Sequence, residues 1–109
     1  MSYVVTIREG STVHRERFAA MDDALEHLEG TLRPLAAVTD RDTVKAFARE
    51  IEPAEQVIAR GEISGPRGMR AGIDVHGDGS TTAYTGRVRR TEIEQHRGED
   101  AFQALRRRL

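Results

Sequence analysis

The chain has 109 residues, 38% of them hydrophobic, and its ten glycines bring the apolar share to about 47%, ordinary for a globular protein of one domain, 1–109. It contains no cysteine, which excludes a disulfide framework, a thiolate metal site and a cysteine nucleophile. Its formal charge is −1, divided between seven basic and eleven acidic side chains in residues 1–59 and ten and seven in residues 60–109, too mild an excess for a strongly basic nucleic-acid-binding domain.

The N-terminal apolar run Tyr3-Val4-Val5 is too short for the core of a signal peptide, and no segment approaches the roughly 18 apolar residues of a membrane span. A cytoplasmic protein without membrane contact is the expectation. Sixteen of the seventeen cations are arginine, a bias that a GC-rich genome produces on its own.

In chain order, Tyr3-Val4-Val5-Thr6-Ile7 and Thr12 to Phe18 are β-rich segments joined by a turn at Gly10-Ser11. A hairpin centred there sets Tyr3 opposite Phe18 and Ile7 opposite His14. The period then becomes helical. Met21, Leu25, Leu28, Leu32 and Leu35 recur at intervals of four and three, Asp22 and Asp23 sit at the positive end of the dipole, and Pro34 marks the exit. Residues 39–53 fit helix or strand; a short helix capped by Thr39 or Asp40, carrying Val44, Phe47, Ala48 and Ile51 and stopped by Pro53, is the preferred reading.

The second half reads as a three-stranded meander. Val57, Ala59, Gly61 and Ile63 alternate with polar residues, as do Met69, Ala71, Ile73 and Val75, and then Tyr84, Gly86 and Val88. Asp78-Gly79 suits a two-residue hairpin turn, which pairs Ile73 with Tyr84, Ala71 with Gly86 and Met69 with Val88; a loop at 64–68 pairs Gly61 with Ala71. Residues 98–109 form a last helix with Glu99-Asp100 at one end and Arg106-Arg107-Arg108 at the other. The expected fold is a two-layer α+β domain: an antiparallel sheet of about five strands with two or three helices on one face.

Chemical motifs are weak. Asp74, Asp78 and Gly79 match three positions of a calcium-binding loop, but Thr85 stands where a bidentate glutamate is required. Glycines at 65 and 68 do not form a phosphate-binding fingerprint, the serines lie at the terminus or in turns, and His14, His27, His76 and His96 are scattered. Neither a cofactor nor a metal is expected, and no catalytic residue is assigned.

The outward face of the meander is the informative surface. The register places Glu62, Arg70 and Arg87 in one row, with Arg60, Asp74, His76 and Arg89 around it. Two opposed arginines repel unless an anion lies near. Glu62 can supply that charge within a solvated ladder; the alternative is an anion or partner held by Arg60, Arg70, Arg87, Arg89 and His76. On the inner face Gly61, Ala71 and Gly86 make a shallow trough, to be filled by a side chain such as Phe102 or by a ligand. The leading functional reading is a small non-catalytic interaction domain, binding a protein partner or a second copy through a sheet edge or the arginine-rich face. A nucleic-acid accessory protein using the arginines, Arg90 among them, and a small-molecule binder in the trough are the alternatives.

Overall fold

The computed structural model describes residues 2–46 and 56–109. It has the expected two-layer α+β architecture, with six strands and two α-helices among the described residues. In chain order these are β1 (Tyr3–Glu9), β2 (Thr12–Phe18), α1 (Met21–Ala46), β3 (Val57–Ser64), β4 (Arg70–His76), β5 (Thr81–Thr85), β6 (Thr91–Glu92) and α2 (Ala101–Arg108). The strands form one antiparallel sheet in the order β2-β1-β3-β4-β5-β6. α1 lies across β1 and β3, and α2 across β4 and β5.

The first hairpin has the expected register, Tyr3 opposite Phe18 and Ile7 opposite His14, because Gly10 takes the positive φ (+60°) that a two-residue loop needs. Val5 and Ile7 of β1, Ala59 and Ile63 of β3, and Ala71, Ile73 and Val75 of β4 all face the helices and are buried. Leu25, Leu28 and Leu32 of α1 cover them, as the interval of four and three predicts.

α1 departs from expectation in length. It does not end at Pro34 but continues to Ala46, so Thr39 and Asp40 lie inside α1 and no second helix starts there. Pro34 removes the hydrogen bond to the Gly30 carbonyl, yet both residues are exposed, and water can take the place of the lost donor. Phe47, Ala48, Ile51 and Pro53 lie outside the described residues. Among the described residues, no helix is long and apolar enough to cross a membrane.

α2 begins three residues after Gly98 with a reciprocal capping box: Asp100 accepts from the Gln103 amide, and the Gln103 side chain accepts from the Asp100 amide. Arg33 joins the helices, pairing with Asp100 at 2.8 Å and Glu29 at 2.7 Å while its guanidinium lies over the Phe102 ring. Burial of Asp100 works against its charge, but the Arg33 hydrogen bond and the Gln103 amide hold its carboxyl below the usual range.

Two registers in the meander differ from the sequence reading. Asp78-Gly79 does not form a two-residue loop. The His76 amide bonds to the Ser80 carbonyl and the Gly79 amide to the His76 carbonyl, with Gly79 at φ +86°, so the loop spans three residues. β5 therefore slips by one, Ile73 faces Ala83, and Gly72 faces Tyr84. That single step moves Tyr84 to the opposite face of the sheet. Between β3 and β4 the offset is two residues, Ile63 pairing with Ala71 and Gly61 with Ile73, which preserves the face assignments from Ala59 to Ile63. An irregularity at Ile58 breaks the alternation at the start of β3, and Val57 is exposed.

The trough at Gly61, Ala71 and Gly86 does not exist. Ala71 faces Thr85, Gly86 lies beyond β5, and Gly61 is covered by Leu32 and Leu28 of α1 rather than by Phe102. A methyl added at Gly61 would sit 2.6 Å from Leu32 Cδ1 and 3.3 Å from Leu28 Cδ1.

Candidate functional site

Both described helices occupy one face of the sheet, and among the described residues the other face carries only the sheet's own side chains. Alternation from the buried positions assigns to it Arg8 of β1, Arg15 and Arg17 of β2, Arg60 and Glu62 of β3, Arg70, Gly72, Asp74 and His76 of β4, Thr82 and Tyr84 of β5, and Glu92 of β6.

At the centre of this face the Tyr84 phenol packs over Gly72. A methyl there would be 2.9 Å from Tyr84 Cζ and would collide with the Gly61 carbonyl oxygen, so glycine is required by close approach. The phenol donates to Glu62 Oε2 at 2.8 Å. Burial, reinforced by this hydrogen bond and the Glu62 charge, raises the Tyr84 pKa well above its ordinary value. Arg90 covers the ring at 4.8 Å and Arg60 at 5.8 Å from its centroid, and Tyr84 is only 3% exposed.

Charge pairs frame the ring. Arg60 grips Asp74 with two guanidinium nitrogens, and that hydrogen-bonded pairing raises the arginine's pKa further. Glu62 lies 3.5 Å from Arg70 Nη1 and 4.0 Å from Arg90 Nη2. His76 Nε2 meets Thr82 Oγ1 at 2.9 Å, while its buried Nδ1 has no hydrogen-bond partner among the described residues. A cleft of about 320 Å³ where β3 begins is lined by Arg8 and Arg60 together with Val57 and Ile58.

Of the five residues singled out from sequence, Arg60, Arg70 and His76 share this face. Arg87 and Arg89 do not. They project from the loop after β5, where Gly86 at φ +110° turns the chain away and packs against the Arg89 carbonyl, so Arg87 is not opposite Arg70. Val88 between them is 93% exposed instead of pairing with Met69. The pairing of Glu62 with Arg70 is found, with Arg90 in the place assigned to Arg87. Tyr84 was missed because its ring reads as core; the signal that could have found it is a glycine at 72 inside a strand.

The Asp74–Gly79 segment is the end of β4 followed by its turn. Asp78 accepts from the Ser80 hydroxyl and amide, and these bonds lower its carboxyl pKa. Among the described residues no three histidine or carboxylate side chains converge to hold a metal ion. No protein-family model matches the chain, and neither a curated protein nor a solved structure is significantly similar to it.

Proposed function

We propose that the chain is a small non-catalytic binding domain that receives an acidic protein partner on the face of its sheet opposite α1 and α2. One observation carries this reading: among the described residues, six arginines (Arg8, Arg15, Arg17, Arg60, Arg70 and Arg90) share that face with three carboxylates, Glu62, Asp74 and Glu92. Asp74 is saturated by Arg60 and Glu62 by Tyr84, Arg70 and Arg90. Arg8, Arg15 and Arg17 form no ion pair among the described residues, which leaves guanidinium forks for carboxylates from outside. The carboxyls of Asp74 and Glu62 and the Tyr84 phenol, which acid–base chemistry would draw on, are committed to their neighbours. This supports binding over catalysis.

Nucleic acid is less well served, although the slipped register puts an aromatic ring among the arginines. Base stacking needs an open ring face, and Tyr84 is packed over Gly72, neighboured by Arg60 and Arg90, with its hydroxyl engaged.

Backbone amide NMR of the labelled protein, titrated at low salt with a poly-glutamate peptide and with a duplex oligonucleotide of equal charge, tests the reading. The peptide should shift Arg8, Arg15, Arg17 and Arg70, and Arg15→Glu with Arg17→Glu should weaken it by about tenfold. Shifts confined to the helices would refute the proposal, and tighter oligonucleotide binding on the same residues would assign the face to nucleic acid. Concentration-dependent sedimentation lost in the same double variant would identify the partner as a second copy.

A further inference from the structure

At the end of the sheet away from the three-residue loop, the β3–β4 turn breaks a local rule. The Met69 amide bonds to the Pro66 carbonyl, and the two residues between them, Arg67 (φ +61°, ψ +29°) and Gly68 (φ +73°), are both left-handed. Such a turn prefers asparagine, aspartate or glycine at its first central position. Arg67 is the one described residue other than glycine with positive φ, a conformation costly to a long side chain.

The same turn walls a cleft of about 360 Å³, lined by Tyr3, Met21, Pro66, Arg67 and Met69. Four of the five are apolar or aromatic, and two are flexible methionines that adapt to the shape of an occupant. Arg67 is exposed and forms no ion pair among the described residues. Gly65 fixes the wall, because a methyl there would lie 2.7 Å from the Tyr3 ring and 3.3 Å from Met69 Cε.

We infer that this cleft binds a small carboxylate on an apolar chain, its head held by the Arg67 guanidinium and its tail laid against Tyr3, Met21 and Met69. The unpaired cation on an apolar rim sets the ligand's charge, and the lining sets the rest of its chemistry. Arg67 occupies a turn position that favours other residues because its head is needed there. The site is separate from the arginine-rich face and stands or falls independently of it.

Octanoate and its neutral counterpart 1-octanol are the probes, read through the ε-methyl NMR signals of Met21 and Met69 in the full chain. Octanoate should give saturable shifts of both signals in the low-millimolar range, which ligands of about ten heavy atoms reach, and bind at least tenfold more tightly than octanol. Arg67→Asn should raise the melting temperature while lowering octanoate affinity about tenfold, to the level of octanol. Gly65→Ala, which drives Tyr3 and Met69 into the cleft, should weaken both probes in a chain whose amide spectrum is otherwise native. Equal affinities for the two probes, full octanoate affinity in Arg67→Asn, or unmoved methionine signals would overturn the assignment.

Discussion

Gly61 and Gly72 lie on adjacent strands and opposite faces of the sheet, each beneath a large side chain, Leu32 on the inner face and Tyr84 on the outer. The inner contact is apolar, non-directional and adjustable, since the nearest atoms are the far ends of Leu32, Ile7 and Leu28. The outer one is fixed by the phenol's bond to Glu62 and by a neighbouring carbonyl that cannot rotate away. One face supplies stability, and the other supplies a defined arrangement of charge.

The largest effect that probes this contrast is expected on the inner face. Leu32→Ala should cost about 2–5 kcal/mol in urea denaturation, because Leu32 is wholly buried over Gly61. The glycines should then separate: Gly72→Ala belongs at the upper end of the roughly 1–3 kcal/mol expected of overpacking, and Gly61→Ala at the lower end. The reverse order would break the comparison.

Tyr84→Phe should cost about 1.5 kcal/mol at neutral pH, one hydrogen bond to a charged acceptor, and it should change the pH profile. The phenol's pKa is higher in the folded than in the unfolded chain, so its contribution is complete below pH 10 and declines as the pH rises beyond it. Wild-type melting temperature should fall above pH 10 more steeply than that of Tyr84→Phe. Smallest of all, a double-mutant cycle on Glu62 and Arg70 should give a coupling of about 0.2–1 kcal/mol, reduced by salt, because the pair is partly exposed.

The two hairpins show where sequence reading succeeds. Gly10-Ser11 admits one short loop, and the register of β1 and β2 follows by counting. Asp78-Gly79 admits two. Asp78 tips the balance by bonding to Ser80, and Gly79 supplies the left-handed residue of the longer loop. Apolar alternation did not arbitrate, because Tyr84 satisfies either face, as a core ring on one and as a phenol paired with Glu62 on the other. The same ambiguity hid the centre of the candidate site while leaving Glu62 with Arg70 legible from neighbouring strands. Pro34 misled for a simpler reason. A proline ends a helix only where its lost hydrogen bond cannot be replaced, and exposure is invisible in a periodicity of leucines.

The two borders of the sheet have a consequence for how the protein behaves when crowded. β2 carries His14 and Glu16 toward the helix side and Arg15 and Arg17 toward the other, and β6 is only two residues long. A foreign strand added along β2 would lay its side chains against charge above and below, and along β6 it would find almost no backbone to grip. The sheet thus carries its own terminators, and concentrated solutions should resist the edge-to-edge stacking from which fibres grow.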